Sequence, residues 1–271
     1  MTGAPPLLCL ASGVLPEHPA ETVAEAAAAA GFPAFGVRLE PAEWSDRRAA
    51  ELSRRAADAG LVVLDAEVLW LQPGPLDPAL LRLVDLAAII GARNLLAVSS
   101  DPDPAATAAK FAALCDHAAP YGLPVSLEFG RFTRVCDLAA ACAVITAADR
   151  PNARLLIDPL HLLRSGGTPE EVAAVPRRLF AYAQFCDAGP DAPAPEDFAA
   201  IRAEALDGRR LPGEGALPLA ALLAALPPGL PLSVELRARA LREGYPDPVD
   251  RARHLLAATR AWFARHGPGA G

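Results

Sequence analysis

Short runs of apolar and β-branched residues alternate along the chain with Ala-rich stretches whose apolar positions recur at helical spacing, the pattern of repeated strand–helix units around a parallel sheet. The predicted strands are Leu7–Ala11, Ala34–Leu39, Leu61–Glu67, Asn94–Ser99, Pro124–Glu128, Arg154–Asp158, Tyr182–Asp187 and Pro231–Glu235. The predicted helices are Ala20–Ala30, Ser45–Ala59, Pro78–Ile90, Pro104–Ala118, Asp137–Ala148, Pro169–Val175, Leu217–Ala225 and Pro248–Arg265. Several open with Pro in the first turn, where its missing N–H costs nothing. Eight strands, each followed by a helix, close into a barrel, so the sequence predicts an α/β fold, a single (β/α)8 TIM barrel over residues 1–271 as one domain. An open doubly wound sheet would want a glycine-rich turn after the first strand, which Ala11-Ser12-Gly13-Val14 does not supply. The Pro-, Asp- and Gly-rich stretch Ala188–Pro212 breaks the rhythm and reads as a long loop, often a lid on the active-site face. The Gly/Pro tail after His266 is expected to be disordered.

Composition narrows the function. The 271 residues are 52% hydrophobic and 21% charged, ample for a large core. A net charge of −7 argues against nucleic acid as a partner, because neutralising phosphates needs clustered Lys and Arg. The apolar runs are too short to span a bilayer, and no charged segment followed by an apolar one opens the chain, so a soluble, cytoplasmic protein with no membrane partner is expected. Five cysteines without a CxxC pair suggest neither a disulfide framework nor a thiolate zinc site. Lys110 is the only lysine, which sets aside Schiff-base aldolase chemistry.

In such a barrel the functional groups lie where strands end at the C-terminal face. Val125-Ser126-Leu127-Glu128 and Leu232-Ser233-Val234-Glu235 share one pattern, in which strand alternation turns Ser and Glu to the barrel interior. Buried carboxylates without partners are expensive, so two that converge call for a cation. Asp158 ends the strand Leu155-Leu156-Ile157 and Gln184 lies in Tyr182-Ala183-Gln184-Phe185, adding two oxygen donors from the intervening strands. Three carboxylates and an amide oxygen make a hard site suited to one divalent ion, Mn²⁺, Mg²⁺ or Co²⁺. For Gln184 a plain hydrogen bond to a neighbouring loop is the competing reading. His161 follows Asp158 by three residues, a spacing that lets both reach one pocket; the bland alternative is a histidine bonded to backbone at a helix start.

The motifs Leu127-Glu128-Phe129, Ile157-Asp158-Pro159-Leu160-His161-Leu162-Leu163-Arg164-Ser165-Gly166, Gln184-Phe185-Cys186-Asp187, Arg210-Leu211-Pro212-Gly213-Glu214-Gly215 and Val234-Glu235 occur in this order. In them the C-terminal half resembles the xylose isomerase-like sugar isomerase and epimerase family. The resemblance implies metal ligation at Glu128, Asp158, Gln184 and Glu235. Gln184 stands where the family usually has His, as in relatives resembling hydroxypyruvate isomerases; this weakens the case for Zn²⁺ without removing it. The resemblance further implies that Glu128 and Glu235 act as paired acid/base groups around a ketose or hydroxyketone. Metal coordination acidifies the C–H between carbonyl and hydroxyl and stabilises the enediolate, while one carboxylate takes the proton and the other returns it. By the same resemblance His161 contacts a substrate oxygen near the metal and Arg210 binds the substrate, with Arg209 an equally placed competitor. Cys186 replaces a residue that is often Lys or polar, which leaves substrate charge open. Arg164 could hold a substrate but reads rather as a loop tether through Asp187, and Glu214 as a residue ordering its loop. Glu67 and Trp70 follow the third strand, where relatives place a polar group and an aromatic wall, and surface capping is an equal alternative. Glu40 and His18 carry a weaker signal.

The function expected is therefore a metal-dependent isomerase or epimerase of a small-molecule sugar, sugar acid or related polyhydroxy carbonyl compound. A rival keeps the same residues but expels water, as in relatives resembling 3-dehydroshikimate dehydratases. An endonuclease of the same superfamily would want a histidine-rich three-zinc cluster, against which stand Glu40, Glu67, only five histidines and the acidic charge. A non-catalytic barrel would have little reason to keep costly buried carboxylates. Homo-oligomers are common among the relatives.

Overall fold

The computed structural model describes residues 6–266, and the predicted disordered tail lies outside the described residues. Eight strands appear at the predicted places: β1 (Leu8–Leu10), β2 (Ala34–Arg38), β3 (Val62–Leu71), β4 (Leu95–Ser99), β5 (Val125–Leu127), β6 (Ala153–Leu155), β7 (Ala183–Gln184) and β8 (Leu232–Val234). They form one parallel sheet in the order β6-β5-β4-β3-β2-β1-β8-β7. The two ends of that order meet where the Gln184 N–H donates to Ile157 O at 2.9 Å. The fold is the (β/α)8 barrel.

The helices are α1 (Ala20–Ala30), α2 (Asp46–Asp58), α3 (Pro78–Ile90), α4 (Pro104–Ala118), α5 (Leu138–Ala148), α6 (Pro159–Arg164), α7 (Pro169–Ala174), α8 (Phe198–Asp207), α9 (Leu219–Ala225), α10 (Arg239–Gly244) and α11 (Pro248–His266). Local chemistry sets several of their ends. Asp77 and Asp103 accept the N–H of Ala79 and Ala105, each with Pro at the first helical position. Gly91 ends α3 in the left-handed region at φ 82°.

Strand alternation separates two cores. Leu8, Phe35, Val63, Leu127 and Val234 face outward into the large layer under the helices, while Cys9, Ala34, Leu64, Leu96, Leu156 and Tyr182 fill the barrel interior. Each fully buried large apolar side chain is worth about 1.5–3 kcal/mol relative to exposure. The strand ends that carry chemistry thus rest on a dry, packed floor. Strand β3 departs from regular pairing. Its register with β2 skips Leu64, so Asp65 pairs with Gly36 and turns inward like its neighbour Leu64.

The segment Ala188–Pro212 is partly helical, not one long loop: Asp197 caps α8, from which only Ile201 and Ala205 are buried. Arg164 fastens it through Glu204 and the carbonyl of Gly189, and Arg131 reaches Pro195 O at 3.2 Å. The tether expected of Arg164 is real, but its partner is Glu204 and not Asp187. Among the described residues no helix is long and apolar enough to cross a membrane.

Candidate active site

At the C-terminal mouth, Ser126 and Glu128 turn inward on β5 and Ser233 and Glu235 on β8, while Val125, Leu127, Leu232 and Val234 join the outer core. Asp158 follows β6 and serves as N-cap of α6: its Oδ1 accepts the N–H of Leu160 at 2.7 Å and of His161 at 3.2 Å. With Pro159 at the first helical position, this cap brings His161 back to the same mouth one turn later.

Glu128, Asp158 and His161, all buried, offer ligand atoms within 4.8 Å of one another. The side-chain amide of Gln184 lies between the two carboxylates, 2.6 Å from Asp158 Oδ2 and 2.7 Å from Glu128 Oε1. With its NH₂ inward the amide donates to both; with its oxygen inward, three oxygens converge with no proton between them. That second arrangement is the coordination shell of a hard cation, so the residues fit a divalent ion.

Glu235 stands outside this tight group. Its Oε2 is buried without a hydrogen-bond partner among the described residues, and its Oε1 lies over Gly13, where an added Cβ would overlap it. Burial first, then the charge of Glu67, lifts its carboxyl to about 7, with Arg209 and Arg237 opposing. Glu128 is likewise pushed well above the ordinary carboxylate range, by burial and then by Asp158. For Asp158 burial also pushes upward, but the charge of Arg209 foremost, with hydrogen bonds from Arg209 and the His161 backbone N–H, outweighs it and holds it low. Burial lowers His161 to about 4, which leaves the ring neutral near pH 7. The ring lies edge-on to Phe132 at 5.1 Å.

The arginine that enters the site is Arg209, not Arg210. Asp187 and Arg210 exchange backbone hydrogen bonds as an antiparallel bridge, which fixes the residue before it to the opposite face. Arg210 is therefore exposed and reaches Glu214 O, while buried Arg209 donates to Asp158 Oδ2 and to Cys186 Sγ and lies 3.5 Å from His161 Nε2. Burial keeps the Cys186 thiol protonated, so it serves as an acceptor for Arg209. Glu67 points inward and accepts the Ser12 hydroxyl; Trp70 sits outside on the rim, bonded to Ser100 Oγ at 2.7 Å. Glu40 pairs with Arg38 on the surface.

Sequence reasoning missed Asp65, which burial and Glu67 push well above the usual range and which turns inward on the same side of β3 as Glu67. It also missed the role of Asp187, whose carboxylate accepts four backbone N–H groups, from Ala188, Gly213, Gly215 and Leu217. A Cβ on Gly215 would overlap Asp187 Oδ1 and Ala188 O, which explains the second glycine of Pro212-Gly213-Glu214-Gly215.

The chain belongs to the xylose isomerase-like TIM barrel family, whose model matches residues 24–262. No curated protein matches it in sequence. Among solved structures, an IOLI protein with a bound zinc atom superposes with a TM-score of 0.80 at 18% identity, covering 96% of this chain and 98% of that one. A D-psicose 3-epimerase in the presence of D-fructose gives 0.70 at 15%, covering 97% and 99%. A probable 3-DHS dehydratase from Bacillus anthracis gives 0.69 at 14%, covering 93% and 99%. The chain spans 45% of the length of a xylose isomerase-like TIM barrel/4-hydroxyphenylpyruvate dioxygenase fusion protein, which covers 98% of it with a TM-score of 0.77 at 20% identity. These likenesses establish the fold, on which different reactions are carried.

Proposed function

We propose that the protein is a divalent-metal-dependent isomerase or epimerase of a polyhydroxy carbonyl compound. The observation that carries this reading is the convergence of Glu128 and Asp158 oxygens, the His161 ring and the Gln184 amide beside a third carboxylate, Glu235, whose Oε2 has no partner among the described residues. Glu128, Asp158, Gln184 and Glu235 would hold the ion, and the all-oxygen set favours Mn²⁺, Mg²⁺ or Co²⁺. When bound, a divalent ion polarises the substrate carbonyl and lowers the free energy of the adjacent carbanion.

The chain's own residues supply the rest. Glu128 and Glu235 reach the mouth from strands on different sides of the barrel, and one takes the C–H proton while the other returns it to the neighbouring face or carbon. Burial raises both carboxyls, and the value of about 7 for Glu235 suits it to proton transfer near neutrality. Neutral His161 and the guanidinium of Arg209 would orient substrate oxygens, and Arg209 also fixes Asp158. The packed interior below keeps the floor of the mouth dry.

The test is solvent deuterium exchange. Metal-loaded protein incubated in D₂O with a panel of ketoses, sugar acids and cyclic hydroxyketones should place deuterium next to the carbonyl of at least one compound, with the product isobaric apart from the label. Glu235→Gln, which keeps the shape, should remain folded and lose about 10²–10⁴-fold in rate. Loss of water from the product would assign the dehydratase reaction instead, and full activity of Glu235→Gln would remove the two-glutamate mechanism.

A further inference from the structure

Arg237 stands two residues beyond Glu235 on the same strand end, and its stem runs past Gly13 beside that carboxylate: a Cβ on Gly13 would lie 3.0 Å from Arg237 Cγ and 3.1 Å from Cδ. Its Nε is buried and has no hydrogen-bond partner among the described residues. A buried donor left without an acceptor costs free energy that a ligand could recover, and the half-buried guanidinium carries further donors beside it. The side chain lines an open surface depression of about 780 Å³ bounded by the loop after β1 and by α8, α10 and the start of α11.

Most of the other charges of that depression are paired. Asp207 pairs with Arg242 and Arg239, and Arg251 spends its donors on Glu17, Tyr245 O and Val14 O. Glu243 sits exposed on α10. Arg237 is left facing the depression with no acceptor of its own, next to a carboxylate proposed to work on the substrate. A neutral sugar would leave it so. A carboxylate or phosphate group would meet the guanidinium fork with paired, charge-assisted hydrogen bonds and would be held off the acidic centre by one short span.

We infer that Arg237 and this depression form an oxyanion-recognition subsite, so that the substrate is a sugar acid or a sugar phosphate and not a neutral sugar. The inference rests on the reading of the Glu128–Glu235 centre as the place where the substrate's carbonyl is handled.

The experiment uses the full, metal-free chain and calorimetric titration with tartrate, inorganic phosphate and neutral erythritol. One oxyanion should bind and erythritol should not; tartrate as the tighter ligand points to a carboxylate substrate, phosphate to a phosphate ester. Arg237→Ala and Arg237→Gln, the second keeping the stem over Gly13, should each weaken that binding about tenfold or more. Binding of neither anion to the wild type, equal binding of erythritol, or undiminished binding by both variants would overturn the subsite. The two proposals fail separately. Arg237-dependent anion binding without deuterium exchange on any carbonyl compound would sink the reaction and leave the subsite, whereas exchange whose kcat/KM on acidic substrates is unchanged in Arg237→Gln would sink the subsite alone.

Discussion

Gly13 has room for a hydrogen and nothing larger, because Glu235 Oε1 and the stem of Arg237 cross the end of β1 there. The atom a Cβ would strike first is the far end of a flexible side chain, so Gly13→Ala should fold normally and displace Glu235. Thermal unfolding should change little while turnover falls about tenfold or more, since small misplacements of a reacting group are costly; unchanged turnover would show that Glu235 does not need its present place. The apolar-Ser-apolar-Glu repeats made Glu128 and Glu235 legible from the sequence, because a period of two fixes facing. Arg209 against Arg210 was not legible. The two are adjacent, and only the bridge between Asp187 and Arg210 decides which turns inward. Asp65 shares its inward facing with Glu67 by the same period of two, while the extra residue of β3 turns Leu64 inward beside it.

At the scale of elements, helices with their own punctuation were read nearly to the residue. Helix α3 carries an Asp cap, Pro at its start and Gly after its end, and its bounds are those the sequence predicts. Helix α8 was missed because the apolar residues of Phe198-Ala199-Ala200-Ile201-Arg202-Ala203-Glu204-Ala205, mostly Ala, are spread round the helix and not set in one stripe, and side chains from elsewhere, Arg164 above all, hold it in place. The loop from Leu211 to Leu217 shows how an element without regular structure is built: one buried carboxylate, Asp187, gathers its N–H groups. Asp187→Ala would strand four donors. Urea unfolding should then report a loss of about 3 kcal/mol or more, and a variant as stable as the wild type would mean the loop finds other acceptors.

For the whole molecule, the barrel's weak seam lies between β6 and β7. Strand β7 has two residues, and the closing contact is the Gln184 to Ile157 hydrogen bond, whereas β2, β3 and β4 pair over longer spans. In the metal-free protein, amide hydrogen exchange should therefore be faster over residues 153–157 and 181–187 than over 62–71. Asp158 and Gln184 stand on opposite sides of the seam, so adding Mn²⁺ should slow exchange there; exchange that ignores the metal would separate closure from the site. The barrel itself was legible because eight strand–helix units have few ways to bury their apolar faces. Its seam was not, because strand length at closure depends on pairing across the chain and not on local pattern.

The most direct measurement of the central claim is anomalous diffraction at the manganese edge from crystals equilibrated with Mn²⁺. One ion should appear per chain at the barrel mouth, bonded to oxygens of Glu128, Asp158, Gln184 and Glu235, with the Gln184 amide turned oxygen inward. An empty mouth, or an ion held elsewhere while Gln184 keeps its NH₂ group on the two carboxylates, would contradict it.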